Sequence, residues 1–334
     1  MKSLIGLFAA GMLAMAAGPG YHVVKEIKVG GEGGWDYLTL DSPARRLYVS
    51  HATKVEVIDL DAGKVVGEIP DTPGVHGIAI ASKLGRGFVS NGRSNNVTIF
   101  DLKTLKTVGQ VKTGQNPDAI QYEPVSGRVF TFNGRSKDTT AFDAATGKVE
   151  ATIPLGGKPE FSAADGKGKI YANVEDTSEI VEVDAQKLAV TKRYSLKPCE
   201  SPSGLAMDTK NRRLFSACDN KLMAISDPDR GKVIATAPIG ADPDGAGFDP
   251  GRAFAFTSNG EGTITVVRDT TGYPVAETVK TEEGARTMAV DEKTHNLYLP
   301  VAQRTAAPKA ASGTARSRPQ IVPDTFKILV AAPQ

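Results

Sequence analysis

The chain has 334 residues, 40% hydrophobic and 23% charged, enough to bury a large core and far from the compositions of disordered or fibrous proteins. Its formal net charge is +2, with 40 basic against 38 acidic residues, so it has no strong field to hold a polyanion by counterion release, and no nucleic-acid partner is expected. Thirty-five glycines and 20 prolines, with no sustained helical apolar period beyond the N-terminal stretch, exclude a mainly helical protein and point to an all-β chain.

Residues 1–16 read as a secretory signal: Lys2 is the positive start, Leu4 to Leu13 a short apolar run, and Ala14-Met15-Ala16 a small-x-small cleavage site. The run is too short to cross a bilayer, so no transmembrane anchor is expected. No cysteine follows the cleavage site, which leaves a lipid anchor unsupported. The mature chain, residues 17–334, is expected to be one domain in a periplasm or outside the cell.

From Phe88 to Val111 the sequence FVSNGRSNNVTIFDLKTLKTVGQV alternates apolar and polar residues between Gly, Asn and Asp turns, the signature of antiparallel strands joined by hairpins. The rest of the chain repeats this unit about every 42 residues, within the blade length of propellers. First strands end at Asp41, Ala81, Glu123, Asp165, Asp208, Asp249 and Asp291, with separations of 40, 42, 42, 43, 41 and 42. Second strands carry a basic residue and, two positions on, an aromatic: Arg46 and Tyr48, Arg86 and Phe88, Arg128 and Phe130, Lys169 and Tyr171, Arg213 and Phe215, Arg252 and Phe254. The seventh copy keeps only the aromatic, Tyr298. Third strands end on Asp59, Asp101, Asp143, Asp184, Asp227 and Asp269. These aspartates precede turns such as DAATGK, where a short carboxylate accepts from a backbone N–H two residues on, so they read as turn formers. The aromatics read as filling between neighbouring sheets.

The seventh copy lacks a fourth strand after Phe326 to Val330, while Val23 to Val29 resembles a fourth strand with no first three of its own. The expected fold is a seven-bladed β-propeller in which the N-terminal strand completes the last blade and removes the exposed edges. The low-complexity segment 303–320 falls in the seventh blade's loop on the channel face. It is either a flap carrying Arg304, Lys309, Arg316 and Arg318 toward the channel or a tolerated insertion.

The strings RLYVS and VEVIDLDAGKVVGEI in the first copy, and GFVSNGRSNNVTIFDLKTLKTV in the second, resemble the YVTN-repeat β-propellers, including YncE-like exported proteins. The likeness covers nearly the whole mature chain and includes the ending PQIVPDTFKILV. It implies the propeller fold and export. Propellers host many unrelated activities, so it does not imply a reaction. Some members of the family bind DNA, and no residue here matches such a site.

Loops entering strand one and loops joining strands two and three share the face around the channel. Opening strand one are Asp36, His76, Asp118, Glu160, Ser203, Asp244 and Arg286, an acidic and imidazole-rich set that packing does not require. The other loops add His51, Arg93 and Arg135, among others; the two arginines sit in repeated NGRS strings. Each Arg either forks onto a carboxylate or phosphate of a ligand or is simply solvated beside an Asn-Gly turn. The expected ligand-binding set is Asp36, His51, His76, Arg93, Asp118, Arg135, Glu160, Asp244 and Arg286. Within it, His51, His76, Asp118 and Glu160, with Asp36 or Asp244 as a further candidate, form a mixed imidazole and carboxylate set suited to a divalent metal, the one cofactor suggested. His22 and His295 are expected to take no part.

Cys199 and Cys218, the only cysteines, flank strands one and two of the fifth blade on one face and are expected to form a disulfide in an oxidising compartment. Three functions are compatible with these features. The first is an exported propeller binding a small molecule or envelope protein at the channel mouth. The second is a metal-dependent hydrolase of a lactone, ester or phosphoester at the same site, and the third is an envelope scaffold. No nucleophile arrangement is recognisable, and no catalytic residue is assigned.

Overall fold

A computed structural model of the chain describes residues 18–305 and 320–334. The expected leader, residues 1–16, and the greater part of the 303–320 loop, with Lys309, Arg316 and Arg318, lie outside the described residues.

Among the described residues, seven four-stranded antiparallel sheets form a ring. Their innermost strands are Trp35–Asp41, Val75–Ala81, Pro117–Glu123, Pro159–Ala164, Pro202–Asp208, Pro243–Asp249 and Ala289–Asp291. Each packs beside the next around a central channel, and the seventh returns to the first. The fold is therefore an all-β, seven-bladed propeller. No helix among the described residues is long and apolar enough to cross a membrane.

The seam lies where the repeat count places it. The last blade runs Ala289–Asp291, Asn296–Val301, Lys327–Ala332 and, outermost, His22–Lys28. The N-terminal strand pairs antiparallel with Lys327–Ala332, with Ile27 opposite Ile328. This pairing occupies the edge that the last three strands would otherwise expose. Ile27, Ile328 and Val330 then pack with Trp35, Leu47 and Val49 of the first blade, so one apolar cluster joins the two ends of the chain.

Every repeated aromatic, from Tyr48 and Phe88 to Tyr298, is buried between sheets. In four blades the basic residue two positions earlier ties one blade to the next, whereas Lys169 pairs with Glu182 and Asp184 of its own blade. Arg46 donates to the Leu102 carbonyl at 2.7 Å, and Arg128 to the Ala185 carbonyl at 3.1 Å. Arg86 reaches the Ala144 carbonyl, and Arg213 the Tyr273 hydroxyl. In the first three of these the acceptor is in the strand three to four turn of the following blade, where a guanidinium satisfies a carbonyl left free by the turn.

The aspartates ending strands cap turns as expected. Asp59 accepts from the backbone N–H groups of Asp61 and Ala62, and Asp101 from those of Lys103 and Thr104. Strand three of the sixth blade departs from the pattern: it ends at Arg268, one residue early, and the Asp269 carboxyl turns to Asp208 instead. The cysteines are joined, with the Cys199 and Cys218 Cα atoms 5.5 Å apart.

Candidate functional site

One backbone irregularity builds the channel mouth. In the first six blades the pairing of strands one and two slips near the start of strand one, for example between Trp35 and Leu38 and between Val75 and Ile78. Similar slips occur at Pro117, Pro159, Pro202 and Pro243. Such bulges re-aim side chains. The first residue of each of these strands is buried, whereas the second is only partly so: Asp36, His76, Asp118, Glu160, Ser203 and Asp244. Strand-two serines satisfy the displaced backbone. Ser50 accepts from the Asp36 N–H at 2.8 Å, and Ser90 from the Gly77 N–H at 2.8 Å.

Arg286 precedes the short inner strand of the seventh blade rather than opening it. Its carbonyl nevertheless accepts from the Gly245 N–H at 2.7 Å, which holds it in the ring. Its guanidinium reaches Asp244 at 2.9 Å and Asp36 at 4.0 Å.

His76 is the centre of one side of the mouth. Its Nδ1 lies 2.6 Å from Asp36 Oδ2 and 3.6 Å from Asp118 Oδ1. Asp36, His76 and Asp118 each present a ligand atom within 4.8 Å of the other two, a set able to hold a metal ion. Gly92 is required beside the ring, because a Cβ there would stand 2.6 Å from His76 Nε2 and 2.9 Å from Asn116 Oδ1. On the other side, Lys158 Nζ lies 2.6 Å from Glu160 Oε1 and also pairs with Glu175. Ser203 donates to Asp244 at 2.6 Å. An open cup of about 300 Å³ lies there, lined by Glu160, Glu175, Asp219, Asp242, Asp244 and Arg286, with Ser203 and Pro243.

The carboxyls crowd one another. Burial first, and then the field of Asp118, pushes Glu160 up to about 8. Asp118 rises to about 6 because burial and the charges of Asp36 and Asp244 outweigh His76. Asp244 is raised by burial despite Arg286, and Asp219 by burial and by Glu175. Burial opposes the His76 charge, but the hydrogen bond to Asp36 and the field of Asp118 lift it to about 9, so it is an imidazolium at neutral pH.

Tyr37 of the first blade and Phe161 of the fourth stack across the channel with ring centroids 4.2 Å apart. They form part of the lining of a cavity of about 340 Å³ walled by the inner strands. The Tyr37 hydroxyl is buried and makes no hydrogen bond among the described residues. Burial and the charges of Asp118, Glu160, Asp36 and Asp244 hold it well above its ordinary acidity range.

The expected set is brought together only in part. His51 does not join His76. It is buried, its ring lies tilted against Phe326 with centroids 4.2 Å apart, and its Nδ1 faces Glu56 at 3.3 Å. The ligating set around His76 therefore contains Asp36 in place of His51 and Glu160. Arg93 and Arg135 are exposed and make no ion pair among the described residues. Asn91 and Asn133 are structural, their amides donating to Thr98 and Thr140 across the hairpin. His295 pairs with Asp249 and His22 with the Gly20 carbonyl, both apart from the mouth. The repeat pattern alone does not single out Lys158, Asp242, Tyr37 and Phe161. The aromatics do carry a signal in the sequence: the residues following the ring positions are Tyr37, Gly77, Ala119, Phe161, Gly204, Gly245 and Thr287, two large side chains among small ones.

The ends of the 303–320 insertion lean on each other. The Thr305 N–H donates to the Gln320 carbonyl at 2.8 Å, and Arg304 and Ile321 form an isolated antiparallel bridge. The Arg304 guanidinium lies 5.7 Å from the centre of the Trp35 ring.

No family model matches the chain, and no curated protein matches it in sequence. Among solved structures, a chain of Kuenenia stuttgartiensis hydrazine synthase is similar, with a TM-score of 0.69 and 15% identity over 87% of this chain and 95% of that one. At that identity the likeness concerns the fold.

Proposed function

We propose that the chain is an exported propeller of the YVTN-repeat, YncE-like kind whose channel mouth binds a small cationic ligand. The observation that carries this reading is an imbalance of charge. Asp36, Asp118, Glu160, Glu175, Asp219, Asp242 and Asp244 gather at the mouth against His76, Lys158 and Arg286. A protein with no net excess of acid has no general reason to concentrate carboxyls in one partly buried place, and burial makes the charged forms of Asp118, Glu160, Asp219 and Asp244 costly there until a cation arrives. Export is supported by the leader-like residues 1–16 and by the disulfide, which suits an oxidising compartment. The test is calorimetric titration with small alkylammonium and divalent metal ions at low salt. Binding of a cation by the wild type, weakened about tenfold or more in Glu160→Gln with Asp244→Asn, is expected; equal binding by that variant contradicts it.

A second reading, a metal-dependent hydrolase of a lactone, ester or phosphoester, is favoured by the Asp36, His76 and Asp118 cluster. A cation held there would supply polarisation of a substrate oxygen or activation of water. Arg93 and Arg135, exposed on neighbouring loops, would receive the anionic part of the substrate. An ester and lactone panel assayed with and without chelator tests it: chelator-sensitive turnover is expected, and turnover indifferent to chelator rejects it. A scaffold reading would call for a contiguous exposed apolar patch; among the described residues, Val24, Val66, Val108, Val149 and Val275 are exposed on the outermost strands, one to a blade.

A further inference from the structure

We propose that the mouth holds a first-row divalent transition ion, with zinc as the type ion, bound by Asp36, His76 Nδ1 and Asp118. The proposal rests on the cation-binding reading of the mouth and names the cation. Three features carry it: ligand spacing, donor chemistry and an unpartnered hydroxyl.

Spacing comes first. Two ligand atoms bound to one zinc at about 2.0–2.1 Å in a tetrahedral arrangement stand roughly 3.3 Å apart. The His76 to Asp118 separation, 3.6 Å, is close to that distance. The His76 to Asp36 separation, 2.6 Å, is a hydrogen bond, and the ion would take the place of its proton. Replacement needs Asp36 to move back by roughly 0.7 Å, a rotamer-scale adjustment. Nδ1 is the atom that faces the two carboxylates, while the Nε2 edge of the ring lies toward Gly92, where an added Cβ would stand 2.6 Å from Nε2.

Donor chemistry selects the class of ion. One imidazole nitrogen with two carboxylate oxygens suits zinc, or manganese as a neighbour in ligand preference. Calcium takes about six to eight oxygen ligands, and magnesium resists losing its water, so neither is well served by three side chains of which one is an imidazole.

The Tyr37 hydroxyl is the independent feature. It is buried and makes no hydrogen bond among the described residues, and Tyr37 directly follows Asp36 on the inner strand of the first blade. A buried donor without a partner is costly. An ion held by Asp36, His76 and Asp118 would bring with it an oxygen ligand able to serve as the hydroxyl's acceptor. Tyr37 is thus placed as a positioning residue for the ion's remaining ligand.

The test uses the purified full chain, stripped with chelator and titrated by calorimetry with zinc, manganese and calcium chlorides, and separately with methylammonium and tetramethylammonium chlorides. One zinc per chain is expected, with manganese weaker and calcium weaker still. Asp36→Asn and Asp118→Asn should each weaken zinc by about 100-fold or more, beyond the roughly 10–100-fold typical of losing outer support. Asp61→Asn, in the exposed turn after strand three of the first blade, should leave zinc affinity within about threefold, and far-UV circular dichroism checks that each variant is folded. Zinc affinity unchanged in Asp118→Asn, or calcium binding tighter than zinc, overturns the proposal. Ammonium ions binding where zinc does not also overturns it while the cationic mouth stands; if neither class binds, both fall.

Discussion

At the scale of single residues, Asp269 shows how one departure from a repeat changes a titration. Burial, and then the hydrogen bond and charge of Asp208, push its carboxyl up from 3.8 to about 6. Burial acts on Asp208 too, but its hydrogen bonds to Asp269 and to the Asn211 and Lys210 N–H groups hold it below the usual range. A carboxyl raised on folding contributes stability that is complete below its unfolded value and lost as pH rises through its folded value. Asp269→Asn is therefore expected to gain thermal stability relative to wild type between about pH 4 and pH 7. A difference in Tm that stays constant over that range contradicts it. His51 makes a second residue-scale case. Its place on the channel face is legible in the repeat, but its burial is not, because the ring that covers it, Phe326, comes from the far end of the chain. His51→Ala is expected to cost about 3 kcal/mol in denaturant unfolding, as removal of a buried aromatic-sized side chain does, while leaving cation binding at the mouth unchanged. Lost binding in a folded His51→Ala would place His51 in the site.

Single elements are the most legible level. Alternation and turn aspartates locate the strands, since each repeats the same local chemistry: Asp59 and Asp101 take the turn N–H groups that the sequence assigns to them. The bulges opening strand one are not legible. They are pairing slips between two strands, and no local pattern at Trp35 or Val75 announces them. They decide what reaches the mouth, which is why Tyr37 of the first blade and Phe161 of the fourth meet there unannounced. The disulfide is an element-scale constraint. Joining Cys199 to Cys218, 19 residues apart, ties the entrance of one strand to the end of its partner. The chain-entropy relation assigns such a loop about 3 kcal/mol. Replacing both cysteines with serine should lower the unfolding free energy by that order, read in urea; an unchanged midpoint and slope rejects it.

At the scale of the molecule, closure follows from arithmetic: seven repeats, one short of a strand at the end, and one spare strand at the start. Deleting residues 18–28 should leave the Lys327–Ala332 edge open and yield aggregated or non-cooperatively unfolding protein. A permutant joining residue 334 to residue 18 and opened in the exposed turn at Asp61 and Ala62 keeps the seam and should fold. Failure of the permutant alongside a well-folded deletion would contradict the role given to the N-terminal strand.

Ring closure also gathers at one opening carboxyls that are scattered through the sequence, and leaves that opening short of positive charge. The most direct measurement of this deficit is the Tm of wild type and Glu160→Gln at about pH 8.5 and low salt, each with and without a cation that the mouth binds. Because Glu160 is raised to about 8, its charge opposes folding above that pH, and the variant should melt higher than wild type without the cation and gain less when it is added. A variant that melts lower, or that gains as much from the cation as wild type does, would contradict it.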